Sequence, residues 1–235
     1  MAGTLYLIPT PLGDENTAWL PEPERARVTH LTHFVVEAEK TARRHLKALG
    51  VTTPIRELTL ATLNEHTAPG EVAALLEPLL AGHDVGLVSE AGTPAVADPG
   101  AALVALAHAR GVRVEPLIGP SSILLALMAS GANGQRFAFA GYLPVDTTER
   151  GAAIRALEAR SRQFDETQVF IETPYRNNAL LEQLRQTLSP ATRLAVACDL
   201  TLPTQTIVSH PVKNWPAEAP NLHKRPAIFV VYAGG

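Results

Sequence analysis

Residues 86–100 read Gly-Leu-Val-Ser-Glu-Ala-Gly-Thr-Pro-Ala-Val-Ala-Asp-Pro-Gly, and this stretch decides the fold. Residues 85–89, which are apolar and β-branched at their start, predict a buried strand. Small residues and a proline follow at 90–94, where a ligand can approach the backbone closely. Asp98 and Pro99 are typical of a helix start, with Asp98 as the N-cap and Pro99 at the first helical position. This order predicts ligand contacts at the carboxyl end of a parallel sheet, although an ordinary strand–loop–helix connection explains it equally well.

The composition is that of a globular chain without a strong global charge. The 235 residues are 46% hydrophobic and 18% charged, with a net charge of −3. This length permits one large domain or two small ones. Because the net charge does not attract a polyanion, any contact with nucleic acid requires a local basic patch.

Cysteine usage and hydropathy predict a soluble, cytoplasmic protein. Cys198 is the single cysteine, so an intramolecular disulfide is impossible, and no cysteine/histidine cluster has zinc spacing. The N-terminus lacks the pattern of a signal peptide, and no apolar run reaches membrane-spanning length. We therefore expect no metal site and no membrane association.

Strands and helices alternate through the first half, which predicts an α/β domain with a mostly parallel sheet. The predicted strands are 4–8, 34–38, 55–60, 85–89 and 112–117. The predicted helices are 24–32, 39–49, 71–80 and 101–109. We place the domain boundary near Gly119, which gives an N-terminal domain at 1–118 and a C-terminal domain at 119–235.

Three strands follow one another without intervening helices in the second half, which predicts a mixed, partly antiparallel sheet. The predicted strands are 136–144, 167–171, 193–198, 205–209 and 227–232. The predicted helices are 123–129, 148–162 and 178–188.

Two further loops are candidates for ligand binding. Residues 9–13 read Pro-Thr-Pro-Leu-Gly and follow the first strand, but they lack the Gly-x-Gly-x-x-Gly dinucleotide pattern. Ser121 and Ser122 open an apolar helix, where free N–H groups would suit a ligand carboxylate or a ribose. A helix cap without a ligand explains the two serines equally well.

The helix at 39–49 carries a basic face. Lys40, Arg43, Arg44 and Lys47 are three or four residues apart, so they share much of one side. This face is either solvated or in contact with an anionic substrate.

Nine motifs, in the same order, resemble those of the tetrapyrrole (corrin/porphyrin) methylase superfamily. The branch of the small-subunit ribosomal RNA cytidine 2′-O-methyltransferases is the most similar. The motifs, which span nearly the whole chain, are residues 5–13, 39–41, 64–65, 87–94, 98–100, 119–121, 141–144, 172–176 and 199–201.

The resemblance implies two α/β domains with S-adenosylmethionine in the cleft between them, in a homodimer. It also implies that the cofactor is contacted by residues at matching motif positions. In the first half and at the boundary these are Pro11, Ser89, Glu90, Ala91, Gly92, Thr93, Pro94, Val96, Ser121 and Ser122. In the second half they are Phe170, Leu200, Pro226, Ala227 and Ile228.

The chain departs from the family pattern where the substrate is expected. Lys40 stands where an acidic residue is usual, and Glu90 stands where aspartate is usual. Lys224-Arg-Pro226 replaces a usual Lys-Gly-Glu. These departures concern the substrate-facing positions more than the cofactor-binding ones.

Methyl transfer from a sulfonium needs an aligned nucleophile and no metal. A ribose hydroxyl is a poor nucleophile, so a base within hydrogen-bond reach would help. The candidate catalytic residues are Glu90, Glu39, Lys40 and Glu172. The alternatives are a helix cap for Asp98, solvated acids at Glu65 and Glu172, and a salt bridge for Lys40.

The leading function is therefore S-adenosylmethionine-dependent methylation of a ribose 2′-hydroxyl in ribosomal RNA. Two alternatives stay open. One is a methyltransferase that acts on a tetrapyrrole or another small molecule. The other is an S-adenosylmethionine-binding protein that has lost catalysis.

Overall fold

The computed structural model describes residues 2–13 and 19–234, which form two compact units. Unit 1 ends at Ser121 and unit 2 begins at Ser122. No helix in the described part of the chain is long and apolar enough to cross a membrane.

Unit 1 contains a five-stranded sheet in which all the strands are parallel. The strands are β1 (Thr4–Ile8), β2 (His33–Val36), β3 (Thr59–Thr62), β4 (Val85–Val88) and β5 (Arg113–Pro116). Their order in the sheet is β3-β2-β4-β1-β5. The helices between them are α1 (Glu22–Ala26), α2 (Glu39–Leu49), α3 (Pro69–Val72), α4 (Glu77–Leu80) and α5 (Gly100–Ala109). The predicted parallel α/β architecture is confirmed.

Three predicted elements of unit 1 differ from the structure. The strand predicted at 55–60 begins later, at Thr59, because the Pro54 carbonyl accepts a hydrogen bond from the Glu57 N–H and starts a 3-10 turn, Ile55–Glu57. The helix at 71–80 is divided by a 3-10 segment, Ala73–Leu76, and Pro78 has no N–H to continue a helical ladder. The helix at 24–32 is replaced by the shorter α1, which is followed by turns.

Both faces of the parallel sheet are covered by apolar clusters, because strand residues alternate between its two sides. Ile8, Phe34 and Val88 belong to one cluster, whereas Leu5 belongs to the other. Gly86 is buried in β4, and a Cβ atom there would lie 2.7 Å from Ile8 Cδ1 and 2.7 Å from Phe34 Cδ1. Packing of Ile8 and Phe34 against this central strand therefore depends on the absence of a side chain at residue 86.

Unit 2 contains a mixed five-stranded sheet, as the sequence predicted. Its strands are β6 (Phe137–Tyr142), β7 (Thr167–Ile171), β8 (Arg193–Cys198), β9 (Thr206–Pro211) and β10 (Ala227–Tyr232), in the order β6-β7-β10-β8-β9. Strands β6 and β7 are parallel, and the other pairs are antiparallel. The helices are α6 (Ser122–Ser130), α7 (Thr147–Phe164) and α8 (Asn177–Thr187).

Each unit contains one of the two tryptophans of the chain. Trp19 is half-buried in unit 1 and donates from Nε1 to the carbonyl of Pro9 at 2.9 Å. Trp215 is buried in the core of unit 2 and donates from Nε1 to the carbonyl of Leu194 at 3.0 Å. Both indoles thus bury an apolar ring and satisfy their polar atom.

We expect Gly86→Ala to lower the free energy of unfolding by about 1–3 kcal/mol. The reason is that the new methyl group overpacks the space filled by the side chains of Ile8 and Phe34. The control is Gly134→Ala, where a Cβ atom meets nothing within 4 Å, and its effect should stay within about 0.5 kcal/mol. Urea unfolding of both variants measures the difference. Equal stability of the two variants would contradict the packing argument.

Candidate active site

The loops after β1 and β4 are joined at the carboxyl edge of the sheet in unit 1. Thr10 and Gly92 exchange two backbone hydrogen bonds, with N···O distances of 2.9 and 3.2 Å. The Ser89 hydroxyl also donates to the carbonyl of Gly92 at 3.3 Å. This pairing fixes the small-residue loop at 90–94 against the loop at 9–13.

Gly92 has a backbone conformation that favours glycine, with φ of 76°. A Cβ atom at this position would lie 3.0 Å from Leu12 Cδ2. Thr93 Oγ1 donates to the carbonyl of Pro120 at 3.2 Å, which connects the loop to the segment after β5. The loop is therefore held from two sides, with Gly92 and Pro94 buried and Glu90 exposed.

Asp98 organises the turn that leads into α5. Its Oδ1 atom accepts hydrogen bonds from the N–H groups of Ala95 and Gly100, both at 2.8 Å. The helix begins at Gly100 with Pro99 as the N-cap, so the predicted register at Asp98 and Pro99 is wrong by one residue. Ala95 and Ala97 have positive φ angles of 63° and 60°, and such strain is typical of binding loops that their surroundings hold in place.

Glu37 and Glu90 lie together at this sheet edge. Glu37 Oε2 accepts a hydrogen bond from the Glu90 N–H at 3.2 Å. Thr41 Oγ1 donates to Glu90 Oε1 at 3.3 Å, and His45 Nε2 lies 3.0 Å from the Glu90 carbonyl oxygen. Glu37 is not among the residues predicted from the sequence, because residues 34–38 have the pattern of one buried strand. The strand ends at Val36, and an acidic residue directly after an apolar run at this edge is the signal that was available.

The pKa of Glu37 is raised above the ordinary value of a glutamate. Burial raises the pKa, the hydrogen bond from Glu90 opposes it, and the negative charges of Glu90, Asp98 and Glu65 raise it further. Burial likewise raises the pKa of Asp98, against its two backbone hydrogen bonds. A carboxylate whose pKa is raised above its ordinary value is better suited to accept a proton than an unperturbed one.

Glu39 and Arg43, two residues of α2 among those predicted to be functional or basic, form an ion pair with each other. Arg43 Nη2 lies 2.8 Å from Glu39 Oε2, and Arg43 Nη1 donates to the carbonyl of Ile55 at 3.3 Å. By contrast, Lys40 and Lys47 are exposed and form no ion pair with any residue that the structure describes. The salt bridge considered for Lys40 is therefore wrong within the described chain.

Glu172 is buried, so its interpretation as a solvated acid is wrong. Its Oε1 atom accepts from Arg176 Nη2 and from the Thr173 N–H, both at 2.6 Å. Burial raises the pKa of Glu172, but these hydrogen bonds and the charge of Arg176 outweigh it and lower the pKa overall. Glu172 is therefore held ionised, which suits an anchor for the turn between β7 and α8 better than a base. Among the described residues, no partner is found for Glu172 Oε2, Arg176 Nε or Asn177 Oδ1.

Most of the cofactor-binding candidates in unit 2 have side chains inside its core. Phe170 is fully buried and stacks on Phe229 with 5.8 Å between the ring centroids. Leu200, Ala227 and Ile228 are also buried. Only Pro226 is exposed. The four buried residues therefore expose almost none of their surface.

Arg225 holds the loop after β8 against the start of β10. Its Nε atom donates to Asp199 Oδ2 at 2.8 Å, and the Asp199 N–H donates to the carbonyl of Pro226 at 3.0 Å. Asp199 and Thr201 have positive φ angles of 51° and 74°. Arg225 and Pro226, which depart from the family pattern, thus fix the loop after β8 to the start of β10.

The remaining candidates are distributed over both units. Pro11 and Pro94 are buried in unit 1, whereas Val96 is 46% exposed. Ser121 ends unit 1, and Ser122 is the first residue of α6. Within residues 2–13 and 19–234, no three His, Cys, Asp or Glu side chains are grouped to hold a metal ion.

Residues 4–215 match the family model of the Tetrapyrrole (Corrin/Porphyrin) Methylases. The chain belongs to this family. A Pseudomonas aeruginosa protein named ribosomal RNA small subunit methyltransferase I is 32% identical over 234 residues, which cover 98% of this chain and 79% of that protein. The Escherichia coli O157:H7 protein of the same name is 33% identical over 236 residues, which cover 97% and 77% of the two chains.

Solved structures of methyltransferases share the fold. The methyltransferase CobJ superimposes with a TM-score of 0.63 at 21% identity, covering 98% of this chain and 99% of its own. The uroporphyrin-III-C-methyltransferase from Thermus thermophilus gives a TM-score of 0.56 at 21% identity, with 99% and 93% covered. The family resemblance read from the motifs is confirmed, and the chain is a methyltransferase.

We expect Glu37→Gln to raise the free energy of unfolding at pH 8. The raised pKa means that the folded state disfavours the ionised Glu37, so its contribution is favourable at low pH and is lost as the pH rises through the folded-state pKa. Glutamine stays neutral and keeps an acceptor for the Glu90 N–H. The gain should disappear below about pH 4, where an ordinary glutamate is also protonated.

Urea unfolding at pH 8 and pH 4 measures this effect, with Glu39→Gln as the control. Glu39 is half-exposed and paired with Arg43, so its loss should leave the protein slightly less stable at pH 8. A Glu37→Gln variant that is less stable than the parent at pH 8 would contradict the assignment of an electrostatic penalty to Glu37.

Proposed function

We propose that this methyltransferase transfers the methyl group of S-adenosylmethionine to a ribose 2′-hydroxyl of small-subunit ribosomal RNA. The observation that carries the proposal is similarity over almost the whole chain to proteins named ribosomal RNA small subunit methyltransferase I. A cytoplasmic homodimer is part of the same proposal and rests on the family resemblance.

The edge of the sheet in unit 1 fits an adenosyl cofactor. Residues 91–94 are small, and backbone hydrogen bonds between Gly92 and Thr10 fix the loop, so a flat ligand can approach it closely. We assign the cofactor contacts in unit 1 and at its end to Pro11, Ser89, Glu90, Ala91, Gly92, Thr93, Pro94, Val96, Ser121 and Ser122. For Phe170, Leu200, Pro226, Ala227 and Ile228, the assignment rests on the resemblance alone.

The cofactor, when bound, supplies a methyl group activated by a positively charged sulfur. The protein must then orient the ribose hydroxyl and remove its proton. We assign the proton acceptor to Glu37, because its pKa is raised and its carboxylate lies against Glu90. Thr41 and His45 hold Glu90 in place. Glu37 thereby provides an acidic group three residues before Lys40, which stands where an acidic residue is usual in the family.

Helix α2 supports an RNA substrate. Lys40 and Lys47 are exposed on a chain of net negative charge, and they lack acidic partners among the described residues. Lysine side chains of this kind bind phosphate groups and make binding sensitive to salt. Glu39 and Arg43, which are paired with each other, support the helix instead.

Cofactor binding is tested by Gly92→Val. We expect the parent to bind S-adenosylmethionine at micromolar levels, roughly −7 to −9 kcal/mol, and the variant to show no binding by calorimetry. The control is Gly111→Val, which imposes a similar strain at φ of 66° but meets no atom within 4 Å. Unchanged affinity in the Gly92 variant would remove this loop from the site.

The substrate is tested with labelled S-adenosylmethionine. We expect methyl transfer to small-subunit ribosomal RNA from a host that lacks this modification, with the label mapped to a ribose. Transfer should persist in EDTA, since sulfonium chemistry needs no metal. Label in a tetrapyrrole instead of RNA, or cofactor binding without any transfer, would favour one of the two alternative functions.

Glu37→Gln tests the assignment of the base. We expect transfer to fall by about 10²–10⁴-fold while cofactor affinity is retained. In the parent, the rate should rise with pH as Glu37 loses its proton, and this limb of the profile should be missing from the variant. A variant with the parent's rate and pH profile would exclude Glu37 as the base.

A further inference from the structure

Tyr175 is an exposed aromatic residue in the turn between β7 and α8, with 70% of its surface open to solvent. His223 contacts its ring edge-on, with 6.0 Å between the centroids and an interplanar angle of 76°. Lys224 Nζ lies over the ring, 5.9 Å from its centroid. We call these three residues the Tyr175 platform.

The backbone under the platform is fixed by bonds between two loops. The Lys224 N–H donates to the carbonyl of Pro174 at 3.0 Å, directly beside Tyr175. Asn177 Nδ2 donates to the carbonyl of Arg225 at 2.7 Å. Lys224 has a φ of 60°, a conformation that costs free energy for any residue other than glycine. Tyrosine and lysine are thus held next to each other before any ligand arrives, which lowers the entropy lost on binding.

A second aromatic–cation cluster in unit 2 provides the contrast. Arg136 and Arg160 lie 5.4 and 5.5 Å from the ring centroid of Phe164, but both are paired with Glu166. Both guanidinium groups at Phe164 are therefore engaged by the carboxylate of Glu166.

At the Tyr175 platform, the charge of Lys224 is not neutralised. Arg176 and Arg225 nearby are paired with Glu172 and Asp199. Lys224, by comparison, has no acidic partner in the described part of the chain. An exposed ring beside an uncompensated cation is the combination that remains available to a ligand.

We propose that the Tyr175 platform binds single-stranded RNA, with a base stacked on Tyr175 and the adjoining phosphate held by Lys224. Base stacking on an aromatic side chain tolerates any sequence, and a nearby lysine adds an attraction that salt weakens. A purely apolar partner would not use the charge of Lys224. The proposal rests on the proposed function, and it adds an RNA contact in unit 2 to the site in unit 1.

The test compares four variants of the full chain: Tyr175→Ala, Tyr175→Phe, Phe164→Ala and Lys224→Gln. The probe is a fluorescein-labelled twelve-nucleotide single-stranded RNA of mixed sequence, measured by anisotropy at several salt concentrations. Calorimetry with S-adenosylmethionine and circular dichroism are recorded for each variant. The methyl-transfer assay on small-subunit ribosomal RNA is run in parallel.

Tyr175→Ala should weaken RNA binding by about 5- to 150-fold, the range measured for the loss of one stacked base. Tyr175→Phe and Phe164→Ala should stay within about two-fold of the parent, since the first keeps a ring and the arginines beside the second are engaged by Glu166. Lys224→Gln should flatten the salt dependence by about 0.7 log units per log unit of salt. Cofactor affinity should be unchanged in all four.

Parent-like RNA affinity of Tyr175→Ala, with methyl transfer to RNA intact, overturns the platform and leaves the proposed function standing. An equal loss in Phe164→Ala also overturns it, because the effect is then not specific to Tyr175. A parent that neither binds nor methylates RNA overturns both proposals.

Discussion

Two backbone hydrogen bonds between Thr10 and Gly92 determine the arrangement of the site in unit 1. Parallel strands β1 and β4 are neighbours in the sheet, and their following loops are joined just beyond the last strand residues. The bond pair fixes the direction in which residues 90–94 leave β4. Because the Glu90 N–H reaches Glu37 from that position, the neighbouring carboxylates depend on the same bridge. A residue with a side chain at 92 would disturb both the bridge and the approach of a ligand.

The acidic residues of the two units have different partners. Unit 1 places Glu37, Glu90 and Asp98 near one another; burial raises the pKa of Glu37 and of Asp98, and at Glu37 the negative charges of Glu90 and Asp98 raise it further. Unit 2 pairs its buried acids Glu172 and Asp199 with arginines, which fixes loops. Perturbed carboxylates without a cationic partner are typical of chemical sites, whereas paired ones are more often structural. This difference is why we assign the proton acceptor to unit 1 and not to Glu172.

Much of the fold was predictable because strand and helix signals in this chain are local. Residues 4–8, 39–49, 167–171, 193–198 and 227–232 are predicted with the bounds that the structure has. Failures occurred where proline changed the hydrogen bonding, as at Pro54 and Pro78. The glycine-containing loop at 90–94 was recognisable from its residue types. Glu37 was not, since its importance comes from burial and from Glu90, which is 53 residues away in the chain. Ion pairs such as Arg225 with Asp199 are likewise set by tertiary distance, which a sequence pattern does not contain.

The distribution of tryptophan gives the molecule one native fluorophore in each unit. Trp215 is buried and hydrogen-bonded to Leu194, so we expect its emission at shorter wavelength than that of the half-buried Trp19. Trp19 is hydrogen-bonded to Pro9, at the start of the loop that Thr10 joins to Gly92. We therefore expect the quantum yield of Trp19 to change with that loop, and the emission of Trp215 to change with the packing of unit 2. Replacement of either indole by phenylalanine separates the two signals, so the order in which the units lose structure becomes visible without an attached dye.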